Sequence, residues 1–112
     1  MEKIVLQSLL YDFYGELLKP NQKAVFEEYV LDNYSLSEIA EERGISRQGV
    51  HDMIKRTDKL LCEYEDKLHL VKRFLDLKEK VNRIDMLVSG IKDNDSIVNE
   101  VRLLTDEIIN EL

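Results

Sequence analysis

The chain has 112 residues with 23 acidic and 16 basic side chains, a formal net charge of −7, and only one proline, four glycines and one cysteine. That length suits one domain, or one small domain with a helical extension, and a text dominated by Leu, Ile, Glu, Lys and Asp favours helix over sheet. A lone Cys62 excludes an internal disulfide. With apolar runs of about three residues at most, and charges at Glu2, Lys3, Asp12 and Glu16, neither a membrane span nor a signal peptide is expected, and the predicted compartment is the cytoplasm.

Glu2 to Leu18 spaces Ile4 or Val5, Leu6, Leu9, Leu10, Phe13, Leu17 and Leu18 on a broad apolar helical face, which reads as a core element. Lys19-Pro20-Asn21-Gln22 interrupts the pattern. Pro20 fits the first turn of a second helix, where its missing N–H costs nothing. That helix runs to about Leu31 and is expected to turn Val25, Phe26, Tyr29 and Val30 inward. Asp32-Asn33-Tyr34 is the short loop that follows.

Residues 35–54 carry the spacing of a helix-turn-helix. Ser35 and Glu38 form a capping box, in which hydroxyl and carboxylate each satisfy an orphan backbone N–H. Ile39 and Ala40 share a face, and the small Ala40 lets a crossing helix approach. Gly44 supplies the positive φ that ends the helix cheaply. Ile45 is expected to plug the corner, Ser46 to cap the next helix, and Val50, Met53 and Ile54 to face back on Ile39 and Ala40. Arg43 stands where an apolar side chain often packs, and its aliphatic stem can cover the same surface. The outward face of the second helix presents Arg47, Gln48, His51, Lys55 and Lys59. Charge supports this division: residues 1–42 hold three basic and nine acidic side chains, 43–59 hold five and two, and 60–112 hold eight and twelve. An acidic body with one basic element fits a small footprint on a polyanion.

Past the motif the apolar stripe continues at steps of three and four through Leu61, Tyr64, Leu68, Val71 and Phe74 or Leu75, and on through Val81, Ile84 and Leu87, with no Pro or Gly before Gly90, which predicts one long helix. Opposite charges four apart, Asp52 with Arg56 among them, support its exposed face. The polar stretch Lys92 to Asp95 reads as a turn, Ser96 as an N-cap, and Ile97, Val101, Leu104 and Ile108 as the face of a final helix. The expected fold is therefore all-α: a compact helical bundle containing the helix-turn-helix, followed by a long helix and a C-terminal helix forming a helical hairpin. The division expected is 1–62 for the bundle and 63–112 for an amphipathic extension that packs or dimerises. A homodimer is expected, because helix-turn-helix proteins commonly read paired half-sites.

Three segments, Leu9 to Leu18 (LLYDFYGELL), Tyr34 to Val50, and Ile54 to Leu61 followed by Tyr64 to Leu68, match in order the YlxM family of small bacterial helix-turn-helix proteins. The resemblance covers roughly Leu9 to Phe74. It implies a DNA-binding fold like region four of sigma factors, in a bacterial cytoplasm, and a link by gene neighbourhood to the signal recognition particle pathway. The chain departs from the family pattern at Lys19-Pro20-Asn21, which replaces a Thr or Ser cap, at Gly49, where Ala is usual, and at His51, where Tyr is frequent. Glycine inside a helix costs about 0.5 to 1 kcal/mol relative to Ala.

The leading expectation is a non-enzymatic DNA-binding regulator, with DNA ahead of RNA as the nucleic acid. Ser46, Arg47, Gln48 and His51 would approach base edges in the major groove, where Arg pairs with guanine and Gln with adenine. Lys55, Arg56 and Lys59 would hold phosphates. A second expectation, of another class, is an adaptor that keeps the motif as a scaffold and binds a protein or structured RNA of the signal recognition particle pathway, meeting a basic partner through Glu27, Glu28, Glu41 and Glu42. No cofactor and no metal are expected. His51 and His69 lie eighteen residues apart without supporting ligands, and the text holds no nucleophile motif or glycine-rich phosphate loop.

Overall fold

The all-α expectation is met in the computed structural model, which describes residues 1–91 and 96–112. Among the described residues there are six α-helices and no strand: α1 (Lys3–Tyr14), α2 (Pro20–Val30), α3 (Leu36–Arg43), α4 (Arg47–Leu68), α5 (Leu70–Ser89) and α6 (Ser96–Glu111). The turn read over Lys92 to Asp95 lies outside the described residues. The chain divides into two compact units, Met1–Val71 and Lys72–Leu112. No helix among the described residues is long and apolar enough to cross a membrane.

In the first unit α1, α2 and α3 all pack on α4, whose buried stripe is Val50, Ile54, Thr57 and Leu61. Thr57 belongs in that stripe because its hydroxyl donates to the Met53 carbonyl one turn back, at 2.9 Å, so no polar atom is buried unpaired. From α2, Val25, Phe26 and Val30 are buried, and Phe26 stacks on Tyr11 with ring centroids 5.8 Å apart. Tyr29, expected to face inward, is only half-buried. The start of α2 works without a Ser or Thr: Pro20 occupies its first turn, and the Gln22 side chain accepts from the Lys19 N–H at 3.2 Å.

Helix α1 corrects the sequence reading of its own face. The buried positions are Gln7, Leu10 and Tyr14, while Ile4, Val5, Leu6, Phe13 and Leu17 are 37–56% exposed. The helix is rolled so that two polar-tipped side chains reach partners in α4: the Gln7 amide donates to Asp58 at 3.3 Å, and the Tyr14 hydroxyl donates to Glu65 at 2.6 Å. Apolar residue count alone could not reveal these partners on α4. The helix ends at Tyr14, a 3₁₀ turn follows over Gly15–Leu17, and Gly15 is required there because a Cβ would sit 2.9 Å from the Tyr11 ring.

The single long helix expected to Gly90 is two helices. His69 adopts the left-handed conformation, φ 56° and ψ 29°, and separates α4 from α5. Such a conformation costs a non-glycine residue about 1–2 kcal/mol. Tertiary hydrogen bonds offset it. The Tyr14 hydroxyl accepts from the Leu70 N–H at 3.1 Å, and the Glu65 carboxylate oxygen that takes the Tyr14 proton also accepts from the Val71 N–H at 2.9 Å. Two orphan donors at the start of α5 are thus satisfied by side chains 56 and 6 residues away.

In the second unit Val81 of α5 and Thr105 of α6 are buried, and Thr105 Oγ1 lies 3.2 Å from Asp85 Oδ1, which joins the two helices as a hairpin. Ile84, Leu87, Ile97 and Leu104 remain 45–65% exposed.

Tyr11 and Tyr14 make a pH prediction. Both phenols are pushed above the ordinary tyrosine value, first by burial and then by the acceptor carboxylate, Glu27 for Tyr11 and Glu65 for Tyr14. A phenol with a folded pKa above its unfolded one stabilises the fold fully below the unfolded value and loses that contribution as pH rises through the folded one. Stability should therefore fall above about pH 10, with Tyr11 and Tyr14 ionising above the ordinary tyrosine value. Ultraviolet titration of tyrosinate beside alkaline melting checks this; all five tyrosines ionising together at the ordinary value would contradict it.

Candidate nucleic-acid interface

The corner between α3 and α4 forms as its residues dictate. Ser35 Oγ accepts from the Glu38 N–H at 3.0 Å while Glu38 accepts from the Ser35 N–H at 3.2 Å, closing the capping box. Gly44 ends α3 at φ 66° and ψ 32°, with its N–H bonded to the last turn. Ile39, Ala40 and Val50 are buried behind the corner, where α3 packs on α4. Ile45 is not the buried plug expected: its side chain is 41% exposed, and its backbone N–H does the closing by donating to the Ala40 carbonyl at 3.1 Å.

All six residues singled out for nucleic-acid contact, Ser46, Arg47, Gln48, His51, Lys55 and Arg56, are exposed. They do not form one uniform ridge. Ser46 is engaged as the N-cap of α4, accepting from the Gly49 N–H at 2.9 Å. A Cβ on Gly49 would lie 3.0 Å from that hydroxyl, so the glycine keeps the cap uncrowded. Arg47, Lys55 and Lys59 form no ion pair among the described residues.

Sequence reasoning set Asp52 on the exposed face but missed its partner and its place among the candidate contacts. It stands at the centre of the outward face, where its carboxylate accepts from the Gln48 amide at 2.9 Å and lies 3.7 Å from His51 Nδ1. The expected Asp52–Arg56 pair is replaced by a bond from Arg56 Nε to the Asp52 backbone carbonyl at 3.4 Å. Gln48 and Asp52 are four apart, the spacing at which helical side chains meet, so the signal was in the sequence. The cationic surface thus holds one carboxylate in its middle, hydrogen-bonded to Gln48.

Arg43 turns inward. Its guanidinium forks onto Glu28 at 2.7 and 3.3 Å and reaches Asn21 at 3.4 Å, with its pKa raised by the Glu28 hydrogen bond, so one of the five basic side chains of the positive stretch is neutralised within the fold. The same pair removes Glu28 from the acidic face, and Glu27 is taken by the Tyr11 hydroxyl. Tyr34, Glu38, Glu41 and Glu42 line a shallow depression of their own. Cys62 is half-buried, and burial followed by Asp58, Asp66 and Glu65 pushes its thiol up, away from thiolate reactivity.

His51 and Lys55 face sideways as well as outward. They border a groove with Lys3 of α1 and Tyr29 of α2, residues that nothing in the linear text places beside the motif.

Comparison with known proteins agrees with this geometry. A family model described as UPF0122, helix-turn-helix protein, YlxM / p13 like, matches residues 1–105. The chain is 44% identical over 104 residues to the UPF0122 protein YlxM of Bacillus subtilis (strain 168), covering 93% of this chain and 94% of that protein. It is 40% identical over 111 residues to a UPF0122 protein of Thermoanaerobacter sp. (strain X514), covering 99% and 94%. A UPF0122 protein of Caldanaerobacter subterraneus is 47% identical over 83 residues, 74% and 71% of the two chains. With the capping box, the left-handed Gly44 corner and the exposed α4 face in place, the chain belongs to the UPF0122 family of YlxM / p13-like helix-turn-helix proteins.

Proposed function

We propose that this protein is a DNA-binding regulator that lays the first turns of α4 in the major groove. The observation that carries the reading is an exposed, N-capped helix start bearing Arg47 and Gln48, held outward by the Gly44 corner and followed on the same helix by Lys55 and Arg56. Arg47 and Gln48 read base edges, His51 stands at the groove's border, and Lys55 and Arg56 fix register on phosphates. With about four phosphate contacts per copy, log affinity should fall against log salt with a slope near −3 to −4. The test is selection of duplexes from a random pool, followed by titration of the selected and a scrambled duplex across a salt series. Preference for the selected duplex with that slope supports the reading; equal affinity for both, or no binding, overturns it.

Asp52 sharpens the same experiment. A carboxylate amid cations repels indiscriminate phosphate and is satisfied by an amino donor such as cytosine N4. Asp52→Asn should raise affinity for scrambled duplex several-fold, by about the weight of one charge, and narrow the gap to the selected one. An unchanged gap would show that Asp52 takes no part in discrimination.

Two copies acting together are the form in which such a helix reads paired half-sites. Support comes from the second unit, whose α5 and α6 leave large apolar side chains exposed and carry opposite charge: five basic against three acidic residues on α5, one against four on α6. An isologous pairing of two hairpins, each α5 meeting its partner's α6, satisfies both features.

The exposed depression of Tyr34, Glu38, Glu41 and Glu42 favours a second reading, an adaptor that binds a basic partner such as a component of the signal recognition particle pathway. Charge reversal at Glu41 and Glu42, which leaves the Ser35–Glu38 capping box alone, separates the two readings. Loss of a captured partner with DNA binding intact supports the adaptor.

A further inference from the structure

Beside the reading helix, a groove of about 440 Å³ opens between α1, α2 and α4. Lys3, Tyr29, His51 and Lys55 line it together with Ile4, Ile54, Gln7 and Asp58. In a chain with 23 carboxylates, neither Lys3 nor Lys55 is held in an ion pair among the described residues. One carboxylate, Asp58, lines the groove against the two lysines, and its Oδ1 accepts from the buried Gln7 amide at 3.3 Å. Two ammonium groups, an imidazole and a phenol hydroxyl among the lining side chains are a set of donors for an oxyanion.

We propose that this groove binds a phosphodiester of the DNA backbone on the strand flanking the one read by α4, with Lys3 of α1 as the anchoring charge. The proposal rests on the DNA-binding reading above. Position favours a backbone phosphate over a free one: Lys55 lies about 12 Å along α4 from Arg47 at 1.5 Å rise per residue, a span of about three or four base steps at 3.4 Å each from the bases that Arg47 and Gln48 would contact. Tyr29 and Lys3 come from helices that otherwise only buttress α4, so the contact would fix the angle at which that helix enters the groove of the DNA.

The test is Lys3→Gln in the full chain, a substitution at an exposed site that leaves the core alone. Binding to selected and scrambled duplexes is measured across a salt series. Affinity should fall about threefold to tenfold for both alike, and the salt slope should shrink by about one, the signature of a single lost phosphate contact. A wild-type protein that binds DNA while Lys3→Gln changes neither affinity nor slope overturns the groove and leaves the DNA-binding reading standing. In a parallel arm, inorganic phosphate and a short duplex are titrated against the amide resonances of Lys3, Tyr29 and His51. Shifts with the duplex alone at micromolar concentration support the proposal. Shifts with inorganic phosphate and none with duplex overturn it in favour of a free anion, and shifts with neither overturn the site altogether.

Discussion

Tyr14→Ala should lower the unfolding free energy of the first unit by about 4–5 kcal/mol, and Tyr14→Phe by about 2 kcal/mol. Tyr14 is 1% exposed, and its ring lies 5.9 Å from Tyr64 and 6.4 Å from Phe13, centroid to centroid. Removing the ring leaves a cavity among side chains that cannot all collapse into it. Removing the hydroxyl alone is a cleaner experiment. It strips the Leu70 N–H of its acceptor and takes from Glu65 the hydroxyl that donates to it at 2.6 Å. For a unit of this size the loss in Tyr14→Phe corresponds to a fall in Tm of about 10 °C. Denaturant unfolding of both variants, with amide exchange at Leu70 and Val71, measures it. A Tyr14→Phe protein within about 0.5 kcal/mol of wild type would show that solvent replaces these bonds freely and that His69 is held left-handed by something else.

Arg47→Ala should leave folding almost untouched and weaken binding to a selected duplex by about fivefold to 150-fold, the value of one bidentate contact to guanine. Arg47 sits at the first helical position of α4, exposed and in no ion pair among the described residues, so the fold does not depend on it. The loss should be confined to the selected duplex, while Lys55→Gln lowers affinity for every duplex alike. Titration of both variants against selected and scrambled DNA distinguishes the roles. Equal loss on the two duplexes for Arg47→Ala would remove base reading from that residue and assign it to phosphate.

The corner was legible in the sequence because every part of it is local: Ser35 and Glu38 cap one another, Gly44 needs only its own φ, and Ser46 bonds the N–H three residues on. The buried stripe of α4 was legible too, since steps of three and four describe a helix face without reference to any neighbour. The partner of Asp52 was missed although its bond to Gln48 is as local as the caps, because two partners four residues away competed for it and Arg56 was the oppositely charged one. What the linear text could not express was the roll of α1. Its apolar residues cover more than half of the helix, and the choice of Gln7, Leu10 and Tyr14 as the inner face came from acceptors on α4, Asp58 and Glu65, each 51 residues away. The same distant contacts ended α4 at His69, where local propensity alone would have carried the helix on, and brought Lys3 beside Lys55. Caps and periodicity decide which segments become helices because their energies are paid within a turn; tertiary hydrogen bonds decide how those helices are rolled, broken and brought together, because only in the packed state does a buried polar group have one partner it can reach.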